Sequence, residues 1–349
     1  MRHQSALDGI RAIAVMIVIA SHAGLSHMVP GDFGVTLFFF LSGYLITSLM
    51  RDENERSGSV SLHKFYLRRV FRIFPPLYIT MALVTLLGVV GMIPMLAGPN
   101  GWLSDALFLT NYAYLWTKEL GLNLPLWSLD VEEHFYLLFP LFYIFVLRPR
   151  RPIIGVAIIA GVCLLELMIR LYNVATISDI LQNKYWTHTR IDSILFGSAL
   201  ALWQNPALDG DAWQPKPWHI LVAMIGLLST FVIRDEGFRQ TFRHTIQGVT
   251  LFVMFSVILQ NRGRLNAFLS SWPLKWIGLY SYTLYLCHVP AFQIVRHYWP
   301  NASEPLVGVI GSLLALGYAA VMYEAIEKPV ARWRRSLHIK AGAVPAEAI

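Results

Sequence analysis

Charge is scarce in this chain: 14% of its 349 residues are Asp, Glu, Lys or Arg, against 56% hydrophobic, and the mean hydropathy is +0.51. A soluble domain must cover its surface with polar groups, so this composition excludes one of this size and makes lipid the solvent. Cysteine is nearly missing as well. Cys163 and Cys287 both lie in apolar runs, where a thiol behaves as a small buried hydrophobe and a disulfide framework would be out of place. No HxxH, CxxC or HExxH spacing occurs, and no GxxxxGK loop. A metal site would therefore need ligands from distant helices, and phosphate would have to be held in some other way. The net charge of +7 does not point to nucleic acid, because no soluble basic face carries it. The basic residues sit instead at the ends of apolar runs, which is how a membrane protein sets its orientation.

What fills the chain is a succession of apolar runs of roughly 17 to 25 residues, the length needed to cross bilayer hydrocarbon. They predict an all-α polytopic membrane protein of ten helices near residues 10–28, 34–50, 77–93, 131–147, 152–171, 189–204, 217–233, 244–260, 276–296 and 305–324. The first run lacks a small-residue cleavage site after it and reads as a retained span. GWLSDALFLTNYAYLW, residues 101–116, is interrupted by Thr110 and Asn111. If RPRRP at 148–152 is cytoplasmic, residues 94–130 must start and finish outside, so 101–126 is expected to be re-entrant or interfacial. The same choice puts both termini and the basic stretches around 64–72, 148–151, 262–275 and 328–335 inside. The loop at 234–243, with three arginines against two acids, falls outside. Lys64, Arg68 and Arg72 recur every four residues and share one helical face. That makes 59–78 an interfacial helix, which Pro75 and Pro76 are expected to break before the third span.

Against this background the ionisable residues inside the runs stand out. Arg11 and His22 lie on the first helix, eleven residues apart, so they differ by only about 20° in direction and about 16 Å in height. Snorkelling to lipid phosphate would account for Arg11 alone, and an interhelical hydrogen bond for His22 alone. More such groups fall at the depth of His22: Glu132, Glu133 and His134 on the fourth run, Arg190 and Asp192 at the start of the sixth, His288 on the ninth. Together they form a polar cluster near one membrane face, and a histidine with a carboxylate partner is the usual equipment of general-base catalysis. On the cytoplasmic side Arg11 with Arg68, Arg69 and Arg72 offers an anionic ligand, or lipid phosphate, a set of guanidinium groups. A secondary transporter would also be polar-cored, but no inverted repeat or pair of broken helices is visible.

At these residues the chain resembles the integral-membrane acyltransferases called acyltransferase family three, which O-acylate surface polysaccharides, nodulation factors and related glycans. The resemblance covers about residues 5–335. LDGIRAIAVMIVIASHAG is similar to the family's basic residue, ten-residue gap and histidine, here Arg11 and His22. PGDFGVTLFFFLSGYLIT resembles its second-span signature, FYLRRVFRIFPPLY its two-arginine motif as Arg69 and Arg72, and LPLWSLDVEEHFYLLFP and YEAIEKPVARW are also similar. Two positions depart from the pattern: Thr36 stands where an Asp usually precedes the phenylalanine run, and His134 where glutamine is common.

The resemblance implies a multi-pass protein of the bacterial inner membrane, with the acyltransferase domain over 1–335 and a cytoplasmic tail over 336–349. It implies an acyl-CoA donor, most often acetyl-CoA, used as a substrate and not as a tightly held cofactor, and a hydroxyl acceptor on a carbohydrate. Succinyl transfer, or a small-molecule acceptor, is the alternative within the family. Some relatives hand the acyl group on through an appended hydrolase-like domain; here the transfer is expected to finish in the membrane domain or with a separate partner. In this scheme Arg69 and Arg72, helped by Arg11 and Arg68, bind donor phosphates, and His22 deprotonates the acceptor. Glu133, and after it Asp192, orients or charge-balances the histidine, while Arg190, Ser128 or His288 supplies the oxyanion donor.

Overall fold

The computed structural model describes residues 4–94, 97–113, 121–122, 125–177, 183–261 and 263–340, the last six by backbone alone. The described residues form α-helices and short π and 3-10 turns. In chain order the helices are α1 (Ser5–Ala20), α2 (Gly31–Ser57), α3 (Leu62–Val89), α4 (Pro99–Ala106), α5 (Thr110–Ala113), α6 (Leu126–Phe142), α7 (Pro152–Thr176) and α8 (Asp192–Leu202). They continue with α9 (Pro217–Val232), α10 (Glu236–Gln240), α11 (Phe242–Gln260), α12 (Arg264–Leu269), α13 (Trp272–Tyr298), α14 (Glu304–Met322) and α15 (Lys328–Lys340). Six helical stretches among the described residues are long and apolar enough to cross a membrane: Ser5–Leu25, Gly31–Ser57, Leu62–Val89, Pro152–Thr176, Phe242–Gln260 and Glu304–Arg334. Asp192–Leu202 and Pro217–Val232 are apolar but shorter. Local chemistry sets several starts: Ser61 caps α3 by accepting from the Lys64 amide, and Pro152, Pro217 and Pro305 sit in the first turns of α7, α9 and α14, where a missing N–H costs nothing.

The contacts divide the chain into two units. The first comprises residues 1–14, 32–60 and 127–275, in which α11 packs on α8 and α9, and α7 on α8. Glycine lets α2 and α8 touch backbone to backbone: a methyl on Gly43 would collide with the Ile194 carbonyl, and one on Gly197 with the Phe40 carbonyl. Small residues at such contacts are how helices approach closely in lipid. Helix α8 has eleven residues and so a length of about 16 Å, roughly half the hydrocarbon thickness. Nearly all of it is buried in protein, which is the condition under which irregular backbone beside a short helix is tolerated at membrane depth.

The second unit comprises residues 15–31, 61–126 and 276–349. Phe292, Val295 and Val307 form its core between α13 and α14, with Ile19, Ala23, Ala302 and Ile310 packed against them. One expectation is overturned here: Pro75 and Pro76 do not break the chain's course, because α3 runs through both. Proline's fixed φ is helical, so what each removes is one amide donor, and hydroxyls bond to other carbonyls of the same stretch. Tyr282 donates to the Ile73 carbonyl (3.0 Å) and Thr80 to that of Pro76 (2.7 Å). The interfacial helix and the third span are one element.

In the 101–126 stretch only α4 and α5 are helical among the described residues, and residues 114–120 and 123–124 lie outside them. Helix α4, with eight residues, is too short to cross. The buried Asp105 carboxylate ties the stretch together, accepting from Thr110 Oγ1 (2.8 Å) and the Leu122 amide (2.6 Å). Tyr78 of α3 donates to the Ala106 carbonyl (2.9 Å). Of the expected C-terminal tail, residues 336–340 continue α15 and 341–349 lie outside the described residues.

Candidate active site

In the second unit α1 passes at Ala20 into a π turn, Ser21–Leu25, where Ala23 and Gly24 leave helical geometry and Gly24 takes φ +93°. The turn is seated on the start of α14. A side chain at Gly308 would press on Ala23, and one at Gly24 would meet the Glu304 side chain at 3.0 Å. π turns within helices recur at functional positions, because they re-aim a side chain. The side chain re-aimed here is His22, which is exposed. Its Nδ1 lies 3.0 Å from the Val18 carbonyl oxygen. A carbonyl only accepts, so in the neutral ring Nδ1 carries the hydrogen and Nε2 the lone pair that a general base requires.

The structure brings His288 of α13 to His22, with ring centroids 5.0 Å apart and planes at 61°. His288 is 0% exposed. Its Nδ1 lies 2.7 Å from the Tyr285 carbonyl oxygen, while its buried Nε2 has no hydrogen-bond partner among the described residues. The Tyr285 and Phe292 rings flank it at 5.7 and 6.1 Å.

In the first half of α3 stand Arg68, Arg69 and Arg72. Helix α15 packs on this turn, with the Trp333 ring edge-on to Phe71 at 5.0 Å and Arg334 donating to the Arg68 carbonyl. The Arg69 guanidinium lies over the Phe65 ring, 5.8 Å from its centroid. Glu327, in the π turn Tyr323–Glu327, accepts from Thr283 Oγ1 (2.6 Å) and interacts electrostatically with Arg72. Glu327 escaped the sequence reading, although it stands in YEAIEKPVARW, where an acid closing an apolar run was the available signal.

The first unit holds the remaining sequence candidates. Arg11 pairs with Asp8 on its own helix at 3.4 Å. Asp192 is wholly buried and its carboxylate is committed to Arg170 at 2.7 Å, while its amide donates to Glu166 (2.9 Å). Arg170 also donates to the Thr189 carbonyl and to Thr245. Arg190 is buried against His244 and Thr36 and lies over the Phe39 ring. Thr36 donates to Gln247, and one turn earlier Asp32 pairs with Lys184 (2.8 Å) and Arg243 (3.4 Å).

On α6, Glu132 accepts from Ser42 (3.0 Å) and Tyr136 (2.9 Å), His134 Nδ1 meets the Thr187 hydroxyl at 2.7 Å, Ser128 is buried and Glu133 is half-buried. Arg170, Glu166, His244 and Gln247 were not singled out from sequence. Glu166 and Arg170 lie on α7 and His244 and Gln247 on α11, without a motif around them, and only the packing gathers them. Outside the spanning helices, burial pushes the His188 imidazole down from its usual range.

A family model described as an acyltransferase domain matches residues 4–324. A Staphylococcus aureus (strain MSSA476) relative named as an O-acetyltransferase is 32% identical over 362 residues, covering 94% of this chain. The O-acetyltransferase OatA of Staphylococcus aureus (strain NCTC 8325 / PS 47) is 31% identical over 350 residues, again covering 94% of this chain. The chain spans 57% of the length of each of these relatives. No solved structure matches it.

Proposed function

This chain belongs to the integral-membrane acyltransferases of family three, and from that premise we propose that it moves an acyl group, acetyl foremost, from cytoplasmic acyl-CoA to a hydroxyl of a cell-surface or lipid-linked carbohydrate. The observation that carries the reading is the His22 ring, exposed on its π turn and held by the Val18 carbonyl with Nε2 left basic. The acceptor hydroxyl gives its proton to His22 Nε2 as its oxygen attacks the thioester carbonyl. Collapse of the tetrahedral intermediate breaks the C–S bond, and the imidazolium returns the proton to the departing thiolate. Arg69 and Arg72, with Arg68 and Arg11, are the proposed partners of the donor phosphates. Glu133 is the proposed carboxylate of this chemistry ahead of Asp192, whose carboxylate is already committed to Arg170.

Ten spans with a re-entrant 101–126 segment, both termini in the cytoplasm and a domain ending near residue 335 complete the proposal. The shortness of α4 supports the re-entrant placement. Purified protein in lipid nanodiscs, given acetyl-CoA or succinyl-CoA and a panel of glycans, should release free CoA thiol and acylated glycan in equal amounts. Passage of glycan across sealed vesicles without covalent change would make the chain a transporter instead.

A further inference from the structure

His22 and His288, both in the second unit, each spend Nδ1–H on a backbone carbonyl, Val18 for His22 and Tyr285 for His288. For His288 the consequence is unusual. Its Nε2 is sealed in the interior with no partner among the described residues, and a buried polar atom left unpaired costs on the order of 1–3 kcal/mol. A second ring hydrogen would find no acceptor at Nε2 among the described residues, so the ring that this hydrogen bonding fits carries its hydrogen on Nδ1 and a lone pair on Nε2, aimed into the protein. Such an atom can accept a hydrogen bond and has no hydrogen to give. The expectation that His288 donates to an oxyanion therefore runs against its own hydrogen bonding.

The group 5.0 Å away, centroid to centroid, is His22, which acquires an Nε2–H when it takes the acceptor's proton. That spacing allows one direct hydrogen bond after a ring rotation, or one bridging water. We propose that His288 is the positioning residue of His22, its Nε2 lone pair receiving the hydrogen of the His22 imidazolium and holding that ring while the acyl group transfers. Resting on the acyltransferase reading, the proposal adds no atom to the balance: the proton leaves the acceptor hydroxyl, resides on His22 in hydrogen-bond contact with His288, and ends on the thiol of CoA. It also accounts for the orphaned nitrogen, which pairs only in the charged intermediate. Interactions made only along the reaction path are the ones that raise kcat.

Two isosteres separate the roles of the ring atoms, because glutamine places its amide oxygen where Nε2 stood and asparagine reaches only to the position of Nδ1. His288→Gln should keep kcat within about tenfold of wild type, and His288→Asn should lose about a hundredfold or more, with KM for donor and acceptor little changed in both. Asparagine equal to or better than glutamine overturns the proposal. An independent readout needs no turnover: ¹⁵N-histidine spectra in nanodiscs, assigned with His22→Gln and His288→Gln. They should show His288 protonated on Nδ1 at neutral pH, and its Nε2 signal should move when His22 is charged. An Nε2–H on His288 at rest overturns it. Absence of acyl transfer from any donor would refute the acyltransferase reading while leaving the spectra to decide the pair.

Discussion

At the scale of single residues the proposed chemistry concentrates on a ring whose tautomer is set by its own helix. Val18 O, four residues before His22, takes the Nδ1 hydrogen, so no second helix is needed to make Nε2 basic. His22→Ala should leave less than about a tenth of wild-type turnover while the protein still accumulates in the membrane and elutes as a single species, because the exposed ring is no packing anchor. A purified variant above that level would remove His22 from the role of base. The α3 arginines should behave differently. Arg69→Ala or Arg72→Ala should raise the acyl-CoA concentration for half-maximal rate by roughly tenfold or more through loss of charge-assisted bonds. Unchanged donor affinity by titration would leave them as lipid-facing or helix-orienting groups.

Among the elements, the junction of α2 with α8 is where side-chain size matters most. Gly43 and Gly197 each face the other helix's backbone with no space for a methyl, and backbone cannot move aside as a flexible side-chain tip can. Gly43→Ala should therefore cost about 3 kcal/mol or more, at the upper end for overpacking. At Gly161 on α7 an added methyl would have nothing within 4 Å, and Gly161→Ala should be neutral or mildly stabilising through helix propensity. Thermal unfolding in detergent, followed by size-exclusion fluorescence, compares the two directly. Equal midpoints would mean the helices separate more easily than their contact implies. The π turn that carries His22 is a second sensitive element, since φ +93° at Gly24 is a conformation a side chain adopts only under strain.

Over the whole molecule the orientation of the chain in the bilayer is the property on which donor access depends. Cysteines introduced one at a time as Glu55→Cys, Glu119→Cys, Arg150→Cys, Leu181→Cys and Lys340→Cys, in a background of Cys163→Ala and Cys287→Ala, report it through an impermeant maleimide. Both native thiols are buried. Labelling from outside at 119 and 181, with protection at 55, 150 and 340, is the expected pattern under the positive-inside rule. Labelling at 150 would make 101–116 a complete span and reverse every later helix.

Much of this protein was legible in its order of residues because lipid imposes a strict rule: apolar runs must become helices that satisfy their own backbone. The helices that carry Arg11, His22, Asp192 and His288, and the acyltransferase family itself, follow from runs and motifs that are contiguous in the chain. What the tertiary structure decided is where contacts join distant residues or where packing overrides a local rule. Pro75 and Pro76 read as a break, yet α3 continues through both, proline's fixed φ being compatible with a helix. Asp192 reads as a second choice, after Glu133, to orient or charge-balance the histidine, and folding pairs it with Arg170, a residue with no motif around it. His22 and His288 are separated by most of the chain, and their meeting depends on how α13 and α14 pack around the π turn. Hydrophobic periodicity determines which face a helix buries; it does not determine which buried polar group it will face, because that choice is made by the neighbouring helix.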